Sequence, residues 1–530
     1  MKTPQPNLNP PAMDRLPPEI FEHIISLIPE QIVQEGVPHT DHSIIRNVLP
    51  PLATVSRRFQ RAIERRTFYQ LKFKANNAKL NQFEQILGPE RQAYVRQLYI
   101  TLPVPPRSSK AKAEEESEGE YESPYETNED RQVHKELMTA PLRRLWDFIS
   151  TWSGTARKGI YLSLNAQPTQ AVPQGRWVHR PFTFSLLDLN ADAENLAPLP
   201  CVSRFAFDSH SHPWNPRVAL ALTSRMPNLE CAKWFSGYPQ YDWGRYYSID
   251  KKYRDELVQS VQTMRLPGSV KKFSCRLKTP YYDDYHTEEL PMFIENGAHD
   301  PVSCAIRELT KYCIDISLEG PFHPSLFDPA SFTPTAEEQP CWQDTTTLNV
   351  KVSPCSPDGS WLSRPQGAQV RIPEGLVDCS QLPPGYADTK EEEEEAEEYY
   401  ADHEDFLMPS SEGEYDTLTL IPVAEKLDVM ITAFARCCAR MPALQTAILS
   451  FEDIHHEHYP FEVTFVAASH PFSSWDEEIE SSADCCRIFL HLKDWQPTDA
   501  TMAILKNIGV ERSGQPCTIH YLEWLNPIGT

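Results

Sequence analysis

The stretch VALALTSRMPNLECAKWFSG (218–237) holds a corner, Arg225-Met226-Pro227-Asn228-Leu229, that separates two hydrophobic periods. Before it, Val218, Leu222 and Met226 recur every four residues, the spacing of one helix face. After it, from Leu229, the chain reads as an extended run. Proline forces the change: it has no N–H to give, and it pushes the preceding residue out of the α region. The same corner returns in MITAFARCCARMPALQTAILSF (430–451), where Met430, Phe434, Cys437 and Met441 form the helix face and Leu444 opens the run. LVQSVQTMRLPGSVKKFSCRL (257–277) is a looser relative.

Further strand candidates are VRQLYITL (95–102), KGIYLSL (158–164), VSRFAFD (202–208), LTKYCIDISL (309–318), TTTLNVKV (345–352) and CRIFLHL (486–492). Prolines, 48 in all, fall mostly between these apolar segments and cut the chain into short units. Helix, Pro-closed turn and strand in alternation predict a mixed α/β fold of stacked, irregular helix–strand units. Such stacking resembles a degenerate leucine-rich-repeat solenoid. The spacing is uneven and the L-x-x-L-x-L-x-x-N signature never appears cleanly, so a single non-repeat α/β domain is the alternative.

The length of 530 residues allows several domains and a large core. No apolar run approaches the roughly 18 residues of a membrane helix, and MKTPQPNLNPPA at the start has no apolar segment of a secretory signal. Thirteen thinly spread cysteines, including the neighbours Cys437–Cys438 and Cys485–Cys486, suit reduced thiols in cytosol or nucleus. The net charge of −24 is concentrated: residues 113–130 carry nine acidic side chains and no basic one, and 388–416 carry a net −13, so 22 of the 24 charges sit there. Like-charge blocks poor in branched apolar residues cannot offset their ordering entropy, which predicts disordered acidic loops at 106–132 and 385–416. The folded remainder is close to neutral.

Residues 1–12 read as a disordered tail and 13–75 as a helical module. The α/β region fills 76–530. In MDRLPPEIFEHIISLIPE (13–30), Pro17 and Pro18 suit a first helical turn. Ile20, Ile24, Leu27 and Ile28 then recur on one face until Pro29 stops the helix. Leu52, Val55, Phe59 and Ile63 make a second face in LPPLATVSRRFQRAI (49–63), and RRTFYQLKF (65–73) closes the module. These residues resemble an F-box: L-P-x-E with apolar spacing (Leu16, Pro17, Glu19, Ile20, Ile24, Leu27), then L-x-x-V-x-R-x-[WF]. The order, an F-box followed by helix–strand repeats, is that of fungal members. This chain departs from the family in the insertion QIVQEGVPHTDHS (31–43) and in having Phe59 where many members have Trp.

The resemblance implies a three-helix module that binds the Skp-type adaptor of a cullin–RING ubiquitin ligase, with the remainder capturing an unknown protein substrate. The adaptor-binding candidates are Leu16, Pro17, Ile20, Ile24, Leu27, Leu52, Val55 and Phe59. Physical reasoning points the same way, because so small a module cannot bury all its apolar side chains internally.

Residues 57–79 carry eight cations (Arg57, Arg58, Arg61, Arg65, Arg66, Lys72, Lys74, Lys79) against Glu64, with aromatics interleaved. Such a cluster could follow phosphates, yet no helix-turn-helix, finger or RNP signature accompanies it. A non-catalytic scaffold or nucleic-acid-associated protein is therefore the alternative function. The histidines of DIHHEHYPFE (453–462) and DSHSHPW (208–214) lack metal-ligand spacing, and no C-x-x-C occurs. Phosphate-cradling glycine motifs and G-x-S-x-G are absent, and glycine is scarce at 19 residues. The expectation is a protein without catalytic activity, cofactor or metal.

Overall fold

A computed structural model of the chain describes residues 16–17, 19–20, 23, 53–104, 128–154, 159–168, 186–189, 195–209, 214–236, 247–277, 292–295, 298–328, 342–365, 420–451, 461–468, 470, 484–492 and 495–522. The first eight strands are β1 (Gln70–Lys74), β2 (Gln97–Val104), β3 (Ile160–Pro168), β4 (Val202–Ser209), β5 (Cys231–Ser236), β6 (Lys272–Leu277), β7 (Asp315–Gly320) and β8 (Thr347–Val352). After them come a separate antiparallel pair, β9 (Ser363–Pro365) with β10 (Leu420–Pro422), and then β11 (Thr446–Phe451), β12 (Glu462–Val466), β13 (Arg487–His491) and β14 (Thr518–Tyr521).

Apart from β9 and β10, the strands form one open twelve-stranded sheet whose order follows the sequence without reversal. Pairing is parallel from β1 through β8 to β11, antiparallel on both sides of β12, and parallel again from β13 to β14. A doubly wound sheet reverses its order at a switch point, which puts helices on both faces. Here the order never reverses, so crossovers of the usual single hand step the same way and gather their helices on one face.

The helices are α1 (Arg57–Thr67), α2 (Asn77–Ile86), α3 (Pro89–Gln92), α4 (Asn128–Ser150), α5 (Pro216–Ser224), α6 (Tyr247–Thr263), α7 (Pro301–Thr310), α8 (Ala424–Ala439) and α9 (Asp499–Ser513). They pack as a second layer: α5 on α6, α6 on α7, α7 and α8 on the 3-10 turn Pro324–Leu326, and α8 on α9. Proline starts three of them, α3 at Pro89, α5 and α7. Pro216 and Pro301 occupy the first turn of α5 and α7, behind the caps Asn215 and Asp300.

The two Arg-Met-Pro corners are alike bond for bond. Arg225 N–H donates to the Leu222 carbonyl at 3.1 Å and Arg440 N–H to Cys437 at 3.0 Å. Leu229 N–H reaches the Met226 carbonyl at 3.0 Å and Leu444 N–H the Met441 carbonyl at 3.3 Å. Met226, Leu229, Met441 and Leu444 are all buried. The strand entry recurs more widely than the sequence motif. Consecutive N–H groups share the carbonyl just before the neighbouring strand: Lys271 and Lys272 share Glu230, Ile314 and Asp315 share Lys271, Thr346 and Thr347 share Ile314, and Gln445 and Thr446 share Thr346.

The register places Leu229, Val270, Cys313, Thr345 and Leu444 in one slot, two residues before each strand's first paired position, and all five are buried. Thr345 is tolerated there because its hydroxyl donates to the Cys313 carbonyl at 2.6 Å. The next inward row runs Leu98, Leu162, Phe205, Ala232, Phe273, Ile316, Leu348 and Ala447, all buried. At the end of β7, Gly320 has φ +148°, and a Cβ there would meet the Leu277 carbonyl oxygen at 2.5 Å, so only glycine fits.

If the two corners are equivalent, Leu229→Ala and Leu444→Ala should each cost about 2–5 kcal/mol, the transfer plus cavity cost of a core leucine. Urea titration of the single variants checks this. A silent variant at either position would break the equivalence.

Three features lie outside the sequence expectation. β1, inside the expected 13–75 module, is the sheet's first strand, and Phe68, Leu71 and Phe73 pack on the main core. β9, β10, β12 and β14 carry no matching strand candidate. α4 begins at Asn128, within the stretch 106–132 whose composition predicts disorder. The rest of that stretch, the tail 1–12 and all of 385–416 lie outside the described residues.

Candidate functional site

Ser56 caps α1 by accepting from Phe59 N–H at 3.4 Å. Phe59 and Ile63 form a small cluster separate from the main core, with Leu16, Ala53 and Ala62 packed on it. Arg58 ties the two parts together by donating to the Leu16 carbonyl. Of the adaptor-binding candidates, Leu16 is half-buried and Phe59 is buried in this cluster. Pro17, Ile20 and Val55 face solvent, Ile20 at 50% and Val55 at 59% exposure. Ile24, Leu27 and Leu52 lie outside the described residues. An apolar side chain left half in water at one edge of a small cluster is the raw material of an anchor surface.

The cations of 57–79 are partly engaged within the fold. Arg61 pairs with Glu90 at 3.4 Å, and Arg65 lies over the Tyr94 ring at 5.7 Å. Glu64 receives Arg91 at 2.7 Å. Lys72 and Lys74 stand exposed on β1, the first strand of the sheet, where lysine discourages pairing with another chain.

The second surface is the sheet face turned away from the helices. Alternate residues point there, and the register aligns them across strands. Tyr99 and Tyr161 meet edge-to-face at 5.5 Å, and Arg204 lies over Tyr161 at 5.6 Å. Further along, Lys272 pairs with Asp315 at 2.9 Å, Arg276 with Glu319 at 3.1 Å, and Lys351 with Glu319 at 3.2 Å. These are exposed pairs, worth little in stability. They mark a polar, solvent-facing strand surface. The signal was present in the sequence as the polar alternation of CAKWFS, KFSCRL and DISLEG, but the face exists only once the strands are aligned.

One buried cluster contains serine, histidine and aspartate. Asp300 accepts from Arg254 at 2.5 Å, from the Val302 and Ser303 N–H groups at 3.3 and 3.0 Å, and from the Ser303 hydroxyl at 2.6 Å. His323 Nδ1 stands 3.0 Å from the Ser325 hydroxyl, which accepts from Asp300 N–H at 3.0 Å. All five side chains are buried. Burial alone would raise the Asp300 pKa, but the Arg254 charge and the Ser303 bonds outweigh it and hold the carboxyl below its ordinary value. The group knots α6 and α7 to the turn before β8, a structural role.

Burial also lowers the pKa values of His323, His491 and His520, keeping them neutral in the fold. The unfolded chain takes up those protons near pH 6.5, so stability should fall as pH drops below that value. Asp300 and Asp358, both held low despite burial, add a second loss below about pH 4, where the unfolded carboxylates protonate first. Urea midpoints between about pH 7.5 and about pH 5.5 check the first step. A flat or rising midpoint over that interval contradicts it.

Among the described residues no group of three or more His, Cys, Asp or Glu side chains is placed to hold a metal ion. The histidines of 453–460 and His210 and His212 fall outside them. Among the described helices none is long and apolar enough to cross a membrane. No family model, curated protein or solved structure matches the chain.

Proposed function

We propose that this chain is the substrate-recognition subunit of a Skp–cullin–F-box type ubiquitin ligase. In this reading the segment 13–75 is an F-box-like module that docks the adaptor. The sequentially ordered sheet, with its helices on one side, is a leucine-rich-repeat-like solenoid that presents its open face to a protein substrate. The observation that carries it is the exposure of Pro17, Ile20 and Val55 in a segment that opens L-P-x-E and holds the separate Phe59–Ile63 cluster. The unreversed strand order supports the second half, because stacked units extend a surface in one direction. The chain itself supplies recognition, not chemistry.

Mixing the purified full-length chain with a recombinant Skp-type adaptor and following co-elution tests the assignment. A one-to-one complex supports it. Separate elution at concentrations of about 10 μM, where an ordinary specific interface persists, removes it.

A further inference from the structure

On the open face, Arg204 of β4, Cys231 of β5 and Lys272 of β6 stand side by side in register. Lys233 lies two residues beyond Cys231, on the same side of the strand. Arg204, Lys233 and Lys272 are all exposed, and all three charges bear on the half-buried Cys231 thiol at their centre, opposed by the weaker influence of Asp315 from β7. Arg276 continues the group along β6. The acidic residues that answer Lys272 and Arg276, Asp315 and Glu319, sit one strand further on, on β7. The first residues of strands β4 to β6 therefore form a cationic stripe roughly 10 Å wide, given about 4.8 Å per strand, which ends on β4 before Asp208, four residues beyond Arg204 on the same side.

We propose that this stripe binds a short acidic segment of a partner protein, with one of its carboxylates seated over Cys231 among Arg204, Lys233 and Lys272. The inference rests on the reading that the open face meets a protein substrate, and it names the chemistry of that substrate. Two features favour a peptide over a nucleic acid. The stripe is narrow and bounded on β7 by carboxylates, which would repel a polyanion running across the sheet. On its other flank the Tyr99–Tyr161 pair offers aromatic surface for an apolar residue beside the acidic ones.

The test uses the full chain and a fluorescein-labelled oligoglutamate peptide, with oligoglutamine as the neutral control, read by anisotropy. The expected result is binding of oligoglutamate alone, weakening steeply from about 0.05 to about 0.3 M salt as screening shortens. Charge reversal at Arg204, Lys233 and Lys272 together should lower affinity by about tenfold or more. Reversal at the exposed Arg57, Arg65 and Lys79 should change it little. Unchanged melting temperatures would show that each variant is folded.

The proposal is overturned if wild type ignores the peptide, or if both reversal sets weaken it equally, which means diffuse attraction. It is also overturned if binding appears only after residues 113–130 and 388–416 are removed, because the chain's own acidic segments would then hold the face. Adaptor co-elution, measured on the same samples, reports on the ligase assignment independently of all these outcomes.

Discussion

Replacing Asp300 by alanine is expected to destabilise the fold by about 3–5 kcal/mol, the cost of leaving one member of a buried ion pair alone. The change strands the buried Arg254 guanidinium, uncaps α7 at the Val302 and Ser303 N–H groups, and leaves the Ser303 hydroxyl short of an acceptor. Asp300→Asn isolates the charge from the cap. Its amide oxygen can still accept from the helix N-terminus, so its loss should be distinctly smaller than that of alanine. Urea denaturation of wild type and both variants measures the difference. Equal losses would mean that the ion pair, which both variants lack, dominates over the cap, and a loss below about 1 kcal/mol for alanine would show that the pair contributes nothing net.

This knot was not legible in the sequence. Asp300 and Arg254 are 46 residues apart and come from different helices, and neither sits in a motif. The corners at 225–229 and 440–444 were legible because proline marks them and the hydrophobic period changes there. The equivalent corner before β6 showed only as a looser relative, and those before β7 and β8 were hidden. Their slot accepts Val270, Cys313 or Thr345 once burial or a hydroxyl bond to the previous corner is supplied. The leucine signature is therefore diluted although the backbone repeats.

β1 escaped for a different reason. QLKFK is short and basic and follows α1 directly, so it reads as the close of the 13–75 module until β2 pairs with it. The two surfaces differ in the same way. Ile20 and Val55 follow from one short segment each, read at helical spacing. The cationic stripe joins three strands separated by long connections, and nothing local announces it.

The second large effect is expected at the N-terminal module. Ile20 and Val55 are exposed, so charges placed there should leave the fold intact. In a complex with the adaptor the same charges would be desolvated at an apolar anchor, at a cost of several kcal/mol. A loss of about 4 kcal/mol is roughly a thousandfold in affinity, enough to abolish a micromolar complex.

The most direct measurement is calorimetric titration of a recombinant Skp-type adaptor into the full-length chain, beside the Ile20→Asp/Val55→Asp variant and the Arg204, Lys233 and Lys272 charge-reversal variant. The account predicts one-to-one binding by wild type, the same binding by the sheet-face variant, and no measurable heat from the Ile20→Asp/Val55→Asp variant at an unchanged melting temperature. No binding by wild type, or undiminished binding by the Ile20→Asp/Val55→Asp variant, would contradict it.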